Sequence, residues 1–330
     1  MDRDRFSGCL IGQCLGDALG YPVEGSRPAT CALYVADVMG RPDRSALRRA
    51  GFVIGQYTDD SQLARELLLS YADCGGFDPE DYARRIASIF VENRIVGRGL
   101  ATHRAAHRIA AGTHWTEAGE PPPAAGNGSA MRAAPIGLLF DDDRAGLIAA
   151  AHDQGRVTHR DPRCSAGAVA VASAVALAGA GGPVDAVRWA ARLAEDARPF
   201  DGAFADEMLK LAEWALLPPE AVYAQIPALL GGPSLEYHWE GISPFVVPSV
   251  LWSLYAFLRT PDDYWETVRT AIAVGGDVDT TAAMAGAVSG AYLGLRALPE
   301  ELARDVHDQG TWGYGDLVAL AHECYQVKHG

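Results

Sequence analysis

An all-α fold is the expectation, and three observations carry it. The apolar residues Phe6, Leu10, Cys14 and Ala18 recur every four positions, the spacing that gathers side chains on one face of a helix. Further windows of helical patterning follow to the end of the chain, separated by turns rich in Gly and Pro. No run of alternating β-branched residues competes with them.

The elements follow in order. The first helix carries a second stripe, Gly8, Gly12, Gly16 and Gly20, along which a neighbouring backbone can approach closely because no Cβ holds it away. Helices are then expected at about 61–74, 79–92, 98–111, 143–154, 163–179, 184–196, 203–215, 248–258, 262–273, 280–296 and 316–327. The Pro- and Gly-rich stretches from Glu120 to Gly128 and from Pro218 to Pro248 are read as long loops, which in a compact fold often carry function. A chain of 330 residues permits one large helical domain or two ordinary ones. No repeat or boundary divides it, so one domain over 1–330 is expected.

Lys and Arg total 28 against 42 Asp and Glu, a formal charge of -14. No sequence-wide basic field exists to attract a nucleic-acid backbone or an anionic membrane, so neither partner is expected. A phosphorylated ligand would have to be held by local donors or a metal. The six cysteines form no CxxC pair or zinc-like spacing and are sparse for a disulfide scaffold, which fits a reducing cytoplasm. The opening residues lack the apolar stretch of a signal peptide or a membrane span.

Two clusters carry the chemistry: Thr58-Asp59-Asp60, and the run Gly275-Gly276-Asp277-Val278-Asp279-Thr280. Each sets two carboxylates and a hydroxyl at the start of a helical pattern rich in small residues. Asp and Thr are ordinary helix caps, but one cap needs one side chain, and each cluster holds an extra carboxylate. Brought together, two such pairs repel unless a cation lies between them. Oxygen donors without His or Cys suit Mg²⁺, Mn²⁺ or Ca²⁺ rather than Zn²⁺.

At these residues the chain resembles a known family. GCLIGQCLGDALGYPVEG near the N-terminus, YTDDSQLA at 57–64, GNGSAMRAAPIGL at 126–138, VTHRDPRCSAGAVAVA at 157–172 and VGGDVDTTAAMAGAVSGAYLG at 274–294 look like the successive signature blocks of the ADP-ribosylglycohydrolases. The likeness is greatest to the bacterial branch that includes the dinitrogenase-reductase-activating glycohydrolase, and weakest between about 180 and 240. The resemblance implies an orthogonally packed, multi-helix all-α bundle with a binuclear Mg²⁺ or Mn²⁺ centre. The implied reaction cleaves the bond between ADP-ribose and a protein side chain, releasing ADP-ribose. Arginine is the expected acceptor and serine the closest alternative; other ADP-ribosyl conjugates, or a non-catalytic ADP-ribose binder, are the remaining readings.

Carried over by motif, the implied metal ligands are Thr58, Asp59, Asp60, Asp277, Asp279 and Thr280. Glu24 matches an acidic residue on a mobile loop at the metal centre of relatives. An oxocarbenium-like transition state calls for an acid at the leaving group and a base on the water. Asp59 or Asp60 is the expected base, and Glu24 the acid or a gate. Val278 and Ser61 stand where many relatives carry Thr, neither as an indispensable ligand.

The ADP-ribose contacts are expected from Gly126, Asn127, Gly128, Ser129 and Met131, read as a pyrophosphate cradle at the start of a following helix, and from His159. Arg132 adds a phosphate contact or an i+3 salt bridge. The aromatics Tyr237, His238, Trp239 and Phe245 offer a face for adenine, in a stretch often glycine-rich in relatives, whereas Trp312 and Tyr314 are read as packing.

Overall fold

Helices build the structure, as the patterning predicts. The computed structural model describes residues 1–40, 55–226 and 239–330; Tyr237 and His238 lie outside the described residues, as does part of the Pro218–Pro248 stretch. No strand forms among the described residues, only isolated bridges. The longer helices there are α1 (Arg3–Gly20), α2 (Asp59–Cys74), α3 (Pro79–Val91), α4 (Leu100–Ala110), α5 (Arg144–Arg156), α6 (Pro162–Ala180), α7 (Ala186–Ala197), α8 (Val246–Arg259), α9 (Tyr264–Ala273), α10 (Val278–Leu293) and α11 (Tyr314–His329).

Most of their starts follow capping chemistry. Asp2, Asp78, Asp143, Asp161, Asp185 and Asp263 each accept a hydrogen bond from a backbone N–H in the first turn of α1, α3, α5, α6, α7 and α9. Each such cap contributes about 1 kcal/mol. The expected window 203–215 is two short helices, Gly202–Met208 and Leu211–Trp214. Pro28–Leu33, Ala134–Leu139 and Pro219–Tyr223 are helices too short for a periodic signal.

The glycine stripe of α1 fits against α10. A Cβ built on Gly8 would lie 2.4 Å from the Gly290 carbonyl oxygen, one on Gly12 2.4 Å from that of Gly286, and one on Gly16 2.2 Å from that of Ala282. The partners descend α10 as the stripe ascends α1, so the two helices are antiparallel. Helix α10 is buried from Val278 to Ala291, as a helix of small and apolar residues on all sides must be. Helices α6, α8 and α9 cover its other faces. Helix α6, apolar over 19 residues, is also enclosed, with 78% of its apolar window buried. The end of α1 therefore meets the start of α10, and Gln13 of α1 ties in α2 by donating to the carbonyls of Asp60 (3.0 Å) and Met131 (2.9 Å).

Candidate metal centre

The two carboxylate clusters sit on the first turns of α2 and α10, and neither uses its own side chain as a cap. Thr58 and Asp277 occupy the cap positions, and neither side chain accepts a hydrogen bond from a backbone N–H of the helix that follows. The α2 cap comes instead from α1. Asp17 accepts from the Thr58 and Ser61 backbone N–H groups at 3.0 and 3.1 Å, and from their hydroxyls at 3.0 and 2.6 Å. Capping across helices leaves the α2 carboxylates free, so ordinary capping does not account for either cluster. At α10 the chain turns through Gly275 and Gly276 with φ of 76° and 88°, and a Cβ on Gly276 would lie 2.0 Å from the Ile242 carbonyl oxygen. Only glycine fits this turn.

These turns bring the distant clusters together. Carboxylate oxygens of Asp17, Asp60 and Asp279 lie within 4.8 Å of one another, and so do those of Glu24, Asp277 and Asp279. Asp279 belongs to both triads. All are buried except Glu24, which stands at the exposed mouth with its carboxyl turned inward. The Thr58 hydroxyl lies 3.1 Å from Asp60 Oδ2, and the Thr280 N–H donates to Asp279 Oδ1 at 2.8 Å. Asp59 stands outside both triads: its N–H donates to the Val96 carbonyl at 2.8 Å, and its Oδ2 receives only a long contact from the Gly99 N–H at 3.5 Å. Asp17 was not singled out in the sequence, although the block that carries Glu24 contains it; a lone helical aspartate has no distinguishing local pattern.

Burial raises every carboxyl here. Burial pushes Asp17 up to about 7 despite its hydrogen bonds from Ser61 and Thr58, and Asp277 up to about 6 despite one from Asn127. Glu24 is raised to about 6, first by burial of its carboxyl and then by Asp277. Asp59, Asp60 and Asp279 are pushed well above the usual range, by burial and then by the negative charges around them. Asp60 Oδ1 is buried with no hydrogen-bond donor among the described residues. An orphaned carboxylate oxygen beside other carboxylates fits a hard divalent cation and fits little else.

The residues expected to hold ADP-ribose divide. Asn127 gives its amide to Asp277 Oδ2 (2.6 Å) and Ser249 Oγ (2.9 Å), and its backbone N–H to the Pro244 carbonyl (2.9 Å). Its amide positions a carboxylate of the acidic cluster. Ser129 donates to the Cys164 carbonyl at 3.0 Å, and buried Met131 offers only a carbonyl already taken by Gln13. Residues 127–129 form a single 3-10 turn, and the helix that follows starts at Ala134 and runs for 6 residues. Gly126 and Gly128 face the His159 ring so closely that a Cβ on Gly128 would lie 2.7 Å from Cε1.

Arg132 makes no salt bridge among the described residues. It is fully buried, donating to Gln154 and Thr158, with its guanidinium 5.7 Å from the Tyr82 ring centre. Phe245 is buried beside Gly126, with the Arg163 guanidinium 5.4 Å from its ring centre. Trp312 packs over Arg65 and Tyr314 over Arg304, as expected of packing aromatics.

Comparison with known proteins supplies the remaining finding. A family model described as ADP-ribosylglycohydrolase matches residues 1–330. ADP-ribosylhydrolase ARH3 of Bos taurus is 29% identical over 359 residues, covering 98% of this chain and 93% of that protein. ADP-ribosylarginine hydrolase Tri1 of Pseudomonas putida (strain GB-1) is 26% identical over 331 residues, covering 98% of this chain and 78% of that protein. A solved structure titled "ADP-ribosylglycohydrolase-related protein complex" superposes with a TM-score of 0.73 at 28% identity, covering 99% of this chain and 98% of the other.

Proposed function

We propose, from the premise that this chain belongs to the ADP-ribosylglycohydrolase family and is a glycosyl hydrolase, that it frees ADP-ribose from modified arginine side chains with the help of two divalent cations. The observation that carries the reading is the pair of carboxylate triads sharing Asp279. Thr58, Asp60, Asp277, Asp279 and Thr280 would hold the ions. Mg²⁺ and Mn²⁺ suit this all-oxygen set. Such ions, when bound, supply charge neutralisation and Lewis acidity at the ribose. Asp17 is a positioning residue, since four donors occupy its carboxylate.

The protein's own groups then divide the proton work. Asp59, beside the triads rather than within them, keeps lone pairs free to take the proton of the attacking water. Glu24, at the mouth with its carboxyl turned toward Asp277 and Asp279, stands where the leaving group would depart and is assigned the proton that group takes up. Arginine as the acceptor is supported by the name of the Tri1 relative, an ADP-ribosylarginine hydrolase.

The test is release of free ADP-ribose from arginine-modified and serine-modified proteins with Mg²⁺, Mn²⁺ or EDTA, using wild type, Asp59→Asn, Asp60→Ala and Asp279→Ala. Metal-dependent release from arginine, lost in all variants while Asp59→Asn alone still binds Mn²⁺, is the expected result. Release from serine alone would replace the acceptor. Release unaffected by EDTA would overturn the metal centre.

A further inference from the structure

We propose that Arg132 and Thr158 lock His159 as its Nε2–H tautomer, a neutral hydrogen-bond donor set against the glycine loop for an oxygen of the ADP-ribose ligand. The tautomer stands on geometry alone, while its ligand rests on the functional reading above.

The chain of donors starts at Arg132, because a guanidinium has only N–H groups and no acceptor. Its Nε donates to Gln154 Oε1 at 3.0 Å, and its Nη2 to the Gln154 carbonyl at 3.0 Å and to Thr158 Oγ1 at 2.7 Å. Gln154 is fixed in turn, its amide donating to the Ser129 carbonyl at 2.8 Å. Thr158 Oγ1 lies 2.8 Å from His159 Nδ1. A hydroxyl owns one proton, and Thr158 is fully buried. With Arg132 donating to the oxygen, the hydroxyl proton has Nδ1 as its acceptor among the described residues. Were Nδ1 protonated instead, Thr158 would face two donors with its own proton unpaired, at the cost of a buried unsatisfied group.

Nδ1 is therefore the acceptor, and the ring proton sits on Nε2. That atom lies 3.3 and 3.4 Å from where a Cβ would stand on Gly126 and Gly128, so the side chains those glycines lack leave room beside it. Burial and the nearby Arg132 charge pull the imidazole down to about 3, which keeps the ring neutral across the physiological range. A protonated Nε2 has no lone pair for a metal, in keeping with an oxygen-only centre next door. It can donate to a pyrophosphate or ribose oxygen, so His159 binds ligand while Arg132 and Thr158 act through it.

Long-range ¹H–¹⁵N NMR on ¹⁵N-histidine-labelled protein reads the tautomer directly, with ADP-ribose titrations alongside. Wild type should show Nδ1 bare and Nε2 protonated. Thr158→Val should mix the tautomers and weaken ADP-ribose binding about tenfold, the scale of one lost hydrogen bond to a charged group. Thr158→Ser, which restores the hydroxyl, should recover both. A wild-type Nδ1–H ring, or a Thr158→Val protein with unchanged tautomer and affinity, would overturn the lock. A wild-type Nε2–H ring in a protein that binds no ADP-ribose would uphold the lock and overturn both the ligand assigned to it and the functional reading.

Discussion

Replacing Gly16 by alanine tests whether the seam between α1 and α10 holds the site together. The added Cβ would lie 2.2 Å from the Ala282 carbonyl oxygen, whereas an ordinary carbon–oxygen contact is about 3.3 Å. The shortfall of about 1 Å cannot be met by a rotamer change, because both partners are fixed at the backbone of packed helices. Helix α1 must move away from α10, and overpacking of this kind costs roughly 1–3 kcal/mol. The displacement matters more for the metal than for the fold. Asp17 and Glu24 belong to or follow α1 and Asp279 to α10, so both triads straddle the seam. Metal sites tolerate ligand errors of about 0.2 Å, and a shift several times larger should weaken Mn²⁺ binding at least tenfold. Urea unfolding gives the stability and calorimetric Mn²⁺ titration the affinity. Gly202→Ala, where a Cβ meets nothing within 4 Å, serves as the control. Wild-type stability together with wild-type Mn²⁺ affinity in Gly16→Ala would refute the argument.

Three further outcomes are expected. Mg²⁺ or Mn²⁺ should raise the melting temperature in proportion to the logarithm of its concentration, since binding to the folded state alone stabilises it, and Asp279→Asn should abolish the response; thermal scans that ignore the ion would contradict the centre. Asp17→Asn should lower stability by about 2 kcal/mol, because an amide turns N–H groups toward donors that had a carboxylate; denaturant midpoints matching wild type would show that another group caps α2. His159 has its folded-state pKa depressed to about 3, so the unfolded chain takes up the proton first. Its contribution is intact above the ordinary value of about 6.5 and is lost as pH falls toward 3, roughly 2 kcal/mol by pH 5. His159→Gln should remove that part of the acid loss, and parallel stability curves from pH 7 to 5 would refute it.

The pattern of residues alone determined the helical class, because a four-residue apolar spacing has one geometric meaning, and it marked Thr58, Asp59, Asp60, Asp277, Asp279 and Thr280 as oxygen donors without nitrogen or sulfur. It also marked the glycine stripe of α1, though not the helix that would fill it. Tertiary structure decided the rest. Asp17 caps a helix far along the chain, a relation that leaves no local spacing. Asn127 and Ser129 hydrogen-bond to Asp277 and Cys164, and Arg132 is buried against Gln154 and Thr158, partners that no local spacing announces. A side chain's chemical type is written in the sequence, but the partner that uses up its donors and acceptors is chosen by the packing of distant segments.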